Sequence, residues 1–213
     1  EYTLVSVADY LLERAYNEAL ETGKSLDEVC APYCLATSSN LSSSRALRDV
    51  TEKFGGEYFA AAVGEVNVTT KMKECGALIG GEGNGGVIYP ALHYGRDAMV
   101  GVALFLSNLA HKKMSVSELR KTYPQYIITK NRIDLSDSSL IDKILNEVKA
   151  VYANENVNTI DGVKVSFEDR KEWVHLRRSN TEPIIRIYAE AATEEAANAL
   201  AAEVIDIAKK IIG

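Results

Sequence analysis

Short apolar strands alternate with amphipathic helices through the first half of the sequence, and this alternation constrains the fold most strongly. The spacing predicts helices at residues 4–19, 42–54, 97–111 and in a short piece ending at 72, with strands at 33–37, 58–63 and 77–80. Strands and helices at this interval form βα units on a mostly parallel sheet, so residues 1–114 are predicted to form a three-layer, mixed α/β domain. The helix at 97–111 is expected to bury Ala98, Val102, Phe105, Leu106 and Leu109.

The second half follows a different pattern. Residues 115–124 are polar, and we expect a linker or hinge there. Residues 125–213 group several strands between two long amphipathic helices, which predicts an α+β domain whose largely antiparallel sheet is flanked by helices. Asp161 and Gly162 lie between two of these strands and predict a hairpin turn.

Charge and cysteine content exclude several classes of protein. The 24 Lys and Arg residues are outnumbered by 30 Asp and Glu residues, so we expect no nucleic-acid partner. The longest apolar runs are shorter than the roughly 20 residues that span a bilayer, so we expect no membrane partner. Three cysteines do not make a disulfide scaffold, and buried thiols in a cytoplasmic protein are the expectation.

A glycine-rich stretch at residues 80–86 is the first candidate site. Its five glycines allow a ligand to approach the backbone, and only Glu82 and Asn84 carry long side chains. If the loop is extended, these two side chains point the same way, and a carboxylate beside a carboxamide suits the vicinal hydroxyls of a sugar. The alternative is a flexible surface loop with incidental polar residues. The glycine spacing does not fit dinucleotide binding.

The second candidate site is the segment Arg177-Arg178-Ser179-Asn180-Thr181-Glu182-Pro183, between two predicted strands. An arginine fork beside hydroxyls and backbone N–H groups suits a phosphate, and Arg186 on the next strand adds a second cation. The alternative is a solvated hairpin turn, because Ser, Asn and Thr are common turn residues.

These two motifs, in this order, resemble those of the α-D-phosphohexomutases, the superfamily of phosphoglucomutases, phosphomannomutases and phosphoglucosamine mutases. The family has a sugar-binding G-E-x-S/N-G loop, which corresponds here to Gly81-Glu82-Gly83-Asn84-Gly85. Its R-x-S-G/N-T-E-P phosphate loop corresponds to residues 177–183. The resemblance covers essentially the whole chain and assigns it to the third and fourth of four family domains.

The resemblance implies an isomerase that acts as an intramolecular phosphotransferase in carbohydrate metabolism. Such enzymes exchange phosphate between C1 and C6 of a hexose through a phosphoserine and a bisphosphate intermediate, with Mg²⁺ as cofactor. By this resemblance, the sugar is bound by Glu82, Asn84, Gly83 and Arg96. The non-reacting phosphate is bound by Arg177, Ser179, Asn180, Thr181 and Arg186.

The sequence also departs from the family pattern. It contains no Ser-His-Asn stretch for the catalytic serine and no Asp-x-Asp-x-Asp-Arg metal loop. We therefore expect no catalytic residue and no metal ligand in this chain. From the resemblance we expect a hexose phosphate as substrate, and missing N-terminal domains of the same protein as partners. The alternative is a non-catalytic module that binds sugar phosphates. The substituent at C2 of the sugar, hydroxyl or amine, is left open.

Overall fold

The computed structural model describes residues 1–135, 137, 139–179 and 182–212. The chain folds into two compact units, Glu1–Gln125 and Tyr126–Gly213. The first unit contains helices α1 (Tyr2–Thr22), α2 (Leu26–Cys30), α3 (Ala46–Lys53), α4 (Glu65–Cys75), α5 (Ala98–Lys112) and α6 (Val116–Lys121). Its strands are β1 (Cys34–Asn40), β2 (Glu57–Ala61), β3 (Ala77–Glu82) and β4 (Gly86–Ile88).

The first unit is the predicted α/β domain. Its sheet has the order β2-β1-β3-β4, in which β1 runs parallel to β2 and β3, and β4 is antiparallel to β3. Helix α4 packs against β1, β2 and β3 on one face, and α1 and α3 form the layer on the other. Helix α1 ends where Gly23 adopts the left-handed conformation, as the sequence predicts.

The buried face of α5 differs from the prediction. Val102 and Leu106 are 55% and 56% exposed, whereas Gly101 and Asn108 are buried. Asn108 donates from Nδ2 to the backbone oxygen of Ser6 at 2.9 Å. The stripe was predicted wrongly because this helix is apolar on more than one side, so periodicity does not identify its buried face.

Residues 115–124, predicted as a linker, lie within the first unit in the structure. Ser115 caps α6 in a capping box, and both Leu119 and Tyr123 are buried. The Tyr123 hydroxyl donates to the buried carboxylate of Asp9 at 3.0 Å. These buried contacts explain why the first unit extends to Gln125.

The second unit contains β5 (Ile127–Asp134), α7 (Leu140–Val151), β6 (Asn156–Asn158), β7 (Val163–Phe167), β8 (Glu172–Arg178), β9 (Ile184–Ala191) and α8 (Glu194–Ile212). The strands form an antiparallel sheet of order β5-β9-β8-β7-β6. Helices α7 and α8 cover one face, where Ile144, Val174, Ile187 and Val204 belong to one apolar core. This is the predicted α+β domain, and the Asp161-Gly162 hairpin joins β6 to β7.

Two further sequence expectations can be compared with the described residues. None of their helices is both long enough and apolar enough to span a membrane. The three cysteines are free, but only Cys30 is buried, whereas Cys34 is exposed and Cys75 is intermediate. The expectation of uniformly buried thiols was therefore wrong for Cys34.

Candidate functional site

The carboxyl ends of the parallel strands β1 and β3 bring Asn40 and Glu82 together. Asn40 Nδ2 donates to Glu82 Oε1 at 2.9 Å, and Glu82 is only 7% exposed. The Asn40 side chain is itself oriented by the turn after β1, because its Oδ1 accepts from Ser42 N at 2.9 Å and from Ser43 Oγ at 3.1 Å. The carboxylate is thus held in one orientation at the strand ends, where open α/β sheets bind ligands.

Arg96 lies between two carboxylates at this edge of the sheet. Its Nε donates to Glu65 Oε2 at 2.7 Å, and its Nη1 lies 3.8 Å from Glu82 Oε2. The backbone N–H of Arg96, followed by its side chain, holds the pKa of the Glu65 carboxyl below its usual value. A Cβ on Gly86 would lie 2.6 Å from Arg96 Cδ, so this glycine leaves room for the arginine.

The segment that carries Gly83 and Asn84 is a tight hairpin turn. Glu82 pairs with Gly86 across β3 and β4, and Gly85 N donates to Glu82 O at 3.1 Å. Asn84 is exposed, and its Oδ1 accepts from Gly86 N at 3.0 Å. The expected extended loop is therefore absent, and Glu82 ends a strand while Asn84 occupies the turn. Gly83 N donates to Ser43 Oγ at 3.0 Å, which fixes the turn against the residues after β1.

In the second unit, the predicted phosphate residues lie at one end of the antiparallel sheet. Arg177 on β8 is directly opposite Arg186 on β9. Arg186 Nη2 lies 3.3 Å from Glu182 Oε2, and Ser179 is buried, with its N–H donating to Ile184 O at 3.0 Å. Among the described residues, the buried Nε of Arg177 has no hydrogen-bond partner. Asn180 and Thr181 lie outside the described residues.

The chain around Arg177 is closely packed at His175 and at Gly162. The His175 ring is 1% exposed, and its Nε2 lies 2.6 Å from the backbone oxygen of Asp161. Burial lowers the pKa of His175 from 6.5 to about 4, so the ring is neutral at pH 7. A Cβ on Gly162 would collide with Leu176 O and approach Arg177 Cα to 2.8 Å. The turn therefore packs directly on the backbone of Arg177.

Asn40 and Glu65 contact the residues predicted to bind the sugar in the first unit. Asn40 ends a strand, which is a usable signal in the sequence, but its contact with Glu82 depends on how β1 and β3 pair. Glu65 follows Gly64, whose φ of 120° starts α4 and places the carboxylate in the first helical turn. Neither contact follows from spacing along the chain.

A magnesium site does not fit the described part of the chain. Within it, no group of three or more His, Cys, Asp and Glu side chains is placed to hold a metal ion. The carboxylates of Glu65 and Glu82 face a guanidinium instead. We therefore assign no step of any reaction to a metal held by these residues.

Comparison with known proteins gives the same assignment for both units. Residues 2–126 match the family described as phosphoglucomutase/phosphomannomutase, alpha/beta/alpha domain III. Residues 132–207 match the family described as phosphoglucomutase/phosphomannomutase, C-terminal domain.

Relatives with these domains are longer than this chain. A phosphoglucosamine/phosphogalactosamine mutase of Sulfurisphaera tokodaii is 37% identical over 81% of this chain, which spans 37% of that protein. A phosphoglucomutase/phosphomannomutase of Thermococcus kodakarensis is 34% identical over 75% of this chain and 34% of its own length. The fold matches Aspergillus fumigatus N-acetylphosphoglucosamine mutase, solved with GlcNAc-6P and magnesium, with a TM-score of 0.66, 15% identity, and coverage of 99% of this chain and 43% of that one. The chain therefore belongs to the phosphoglucomutase/phosphomannomutase family of α-D-phosphohexomutases, of which it carries the third domain and the C-terminal domain.

Proposed function

We propose that the protein to which this chain belongs interconverts hexose 1-phosphate and hexose 6-phosphate, and that this chain recognises the substrate. The observation that supports this best is the oriented carboxylate of Glu82 at the strand ends, bonded by Asn40 and faced by Arg96. A carboxylate that is already fixed by an amide accepts hydrogen bonds from sugar hydroxyls without reorganising first.

Sugar recognition is the proposed role of the first unit. Glu82 accepts hydrogen bonds from two neighbouring hydroxyls, and the exposed Asn84 supplies an amide beside it. Gly83 contributes its backbone to the sugar site, and a side chain there would collide with the carboxylate of Glu1. Arg96 orients Glu82 and adds donors of its own.

Phosphate recognition is the proposed role of the second unit. Arg177 and Arg186 supply charge-assisted hydrogen bonds, and Ser179, with the two residues that follow it, supplies hydroxyl, amide and backbone donors. This site binds the phosphate that does not react. Because both orientations of the substrate present a non-reacting phosphate, the same phosphate-binding residues serve both half-reactions.

The chemical step belongs to parts of the protein outside this chain. A phosphoserine transfers its phosphoryl group to the free hydroxyl of the hexose phosphate, which gives a bisphosphate and a free serine. The bisphosphate then returns its other phosphoryl group to the serine. The serine and the ligands of Mg²⁺ are contributed by N-terminal domains, since this sequence has neither the serine motif nor the aspartate-rich loop.

A second candidate is a non-catalytic module that binds sugar phosphates, and the same lack of both motifs favours it. The two functions are distinguished by mixing this chain with the N-terminal portion of the Sulfurisphaera tokodaii relative and measuring mutase turnover. We expect no turnover by the chain alone and measurable turnover by the mixture. Turnover by the chain alone contradicts the proposal, and binding without turnover in the mixture favours the module.

Calorimetric titration tests the recognition residues. The ligands are glucosamine 1-phosphate, glucose 1-phosphate and mannose 1-phosphate, whose ranking indicates the C2 substituent, with inorganic phosphate as reference. We expect Arg177→Gln to weaken every ligand by about 1.5–3 kcal/mol. Glu82→Gln should weaken only the sugar phosphates.

The matched control is Arg178→Gln, because Arg178 is the next residue of β8 and points to the other side of the sheet. Equal losses for Arg177→Gln and Arg178→Gln contradict the phosphate assignment. Equal losses of sugar phosphate and inorganic phosphate in Glu82→Gln mean that Glu82 supports the fold and does not contact the sugar.

A further inference from the structure

Three arginines form a row across the open face of the second sheet. Arg132 on β5 is directly opposite Arg186 on β9, and Arg186 is directly opposite Arg177 on β8. Directly opposite residues of antiparallel strands share one face, with Cβ atoms about 4.5–5.5 Å apart. Leu176 precedes Arg177, Ile187 follows Arg186, and both belong to the core beneath the helices. Because neighbouring residues of a strand point to opposite faces, the arginine row lies on the face away from the helices.

Such a row opposes folding unless something compensates for it, since like charges directly opposite each other destabilise a sheet. The carboxylates near the row compensate only in part. Glu182 lies 3.3 Å from Arg186, and Asp134 lies 3.6 Å from Arg132, but the Asp134 side chain is 72% exposed and the pair is weak. In the part of the chain that the structure describes, three cations thus face two carboxylates.

The neighbouring row shows what a compensated arrangement looks like on the same face. Lys130 is opposite Tyr188, and its ammonium lies 5.4 Å from the centre of that ring. Lys164 lies 4.1 Å from the centre of the Trp173 ring. These lysines are stabilised by aromatic rings, whereas in the described residues no aromatic ring accompanies the arginine row.

The row also lies next to the predicted phosphate segment. Arg177 and Arg186 are followed along the two strands by the pair Arg178 and Ile185. The next contact is the hydrogen bond from Ser179 N to Ile184 O, which already belongs to the predicted phosphate segment. On the other side, Leu135 N donates to Pro183 O at 3.1 Å, which holds the end of β5 against the same segment. Arg177 contributes the buried Nε that has no partner among the described residues.

We propose that Arg132 is a further phosphate-binding residue and that the row Arg132–Arg186–Arg177 forms one anion site. This proposal rests on the proposed function and extends it to a third strand. Arg132 is exposed and, among the described residues, pairs with Asp134 alone, so its guanidinium is available to a phosphate oxygen once that weak pair opens.

Titration of the 213-residue chain with inorganic phosphate and with glucose 1-phosphate tests this proposal. We expect Arg132→Gln to weaken both ligands about fivefold, the factor that corresponds to about 1 kcal/mol at a partly exposed charge. Arg132→Lys should recover part of the loss. Asp134→Asn should tighten both ligands about twofold, because it removes the competing carboxylate. The matched control is Lys130→Gln, two residues earlier on the same face of β5, and it should change neither affinity.

The outcomes separate this proposal from the proposed function. A loss in Arg177→Gln with none in Arg132→Gln overturns the role of Arg132 and leaves the phosphate assignment intact. Equal changes in Arg132→Gln and Lys130→Gln also overturn it, because a general charge effect then accounts for both. No loss in Arg177→Gln contradicts the proposed function itself. Far-ultraviolet circular dichroism of each variant checks that the fold is retained.

Discussion

Protonation of His175 should make the second unit unstable in mild acid. The ring is buried, and its pKa is lowered from 6.5 to about 4, first by burial. Between these two pH values the unfolded chain binds a proton at this residue and the folded chain does not. Unfolding therefore becomes more favourable as the pH falls through this window, and the stabilisation is complete only above about pH 6.5.

The magnitude follows from the two pKa values. A difference of one pKa unit is worth about 1.4 kcal/mol, so the full effect below pH 4 is about 3 kcal/mol. Between pH 7.5 and pH 5, the linkage relation gives a loss of about 2 kcal/mol in the free energy of unfolding. For a unit of this size, that loss lowers the melting temperature by roughly 10 °C.

Fluorescence of Trp173 provides the assay. It is the one tryptophan of the chain, it is buried in the second unit, and it therefore reports on the unfolding of that unit. Urea denaturation is followed at several pH values for the wild type and for His175→Gln. We expect the variant to lose the dependence between pH 7.5 and pH 5, whatever its absolute stability.

The matched control is His111→Gln, because His111 is half-exposed and lies in the first unit. It should keep the pH dependence of the Trp173 transition. If His175→Gln and the wild type show the same slope of unfolding free energy against pH, the reasoning from burial is refuted.

Two further predictions concern packing. Leu106→Gln should change the free energy of unfolding of the first unit by less than about 0.5 kcal/mol, because the side chain is exposed on α5. Leu12→Ala should cost about 2–5 kcal/mol, because that side chain is completely buried. Circular dichroism melting curves test this contrast, and equal losses would contradict the observed face of α5. Gly162→Ala should destabilise the second unit by at least about 1 kcal/mol, because φ is +75° and a Cβ would collide with Leu176 O. Urea denaturation followed through Trp173 measures this loss, and an unchanged midpoint would contradict it.

The local part of the fold could be predicted from sequence. The end of α1 at Gly23 depends on one glycine that adopts a left-handed conformation, and the alternation of strands and helices gave the α/β unit. The face of α5 could not be predicted, because Val102 and Leu106 are as apolar as buried residues would be. A polar residue, Asn108, occupies part of the buried face because its Nδ2 donates hydrogen bonds to the backbone oxygen of Ser6 and to the Tyr123 hydroxyl.

The candidate site, too, could be predicted only in part from the sequence. Glu82 and Arg177 were predicted because they stand beside glycines or turn residues at the ends of predicted strands. Asn40 contacts Glu82, 42 residues away in the sequence, because β1 and β3 pair. Arg132 lies in the same row as Arg177 because β5, β9 and β8 pair. Register is a tertiary property, since a shift by one residue would turn Arg132 to the opposite face of the sheet.

If the arginine row binds phosphate as proposed, local charge outweighs the acidic net charge of the chain. The formal net charge is −6, which repels anions at long range. At physiological ionic strength, however, exposed charges are screened beyond about 8 Å, so a phosphate at the sheet surface responds mainly to the side chains beside it. Arg186 lies on the middle strand, about 5 Å from the strand of Arg132 and about 5 Å from that of Arg177, so each of these two pairs is within that distance. On this proposal, the affinity for phosphate depends on the register of β5, β9 and β8, and the net charge of the chain is a poor guide to it.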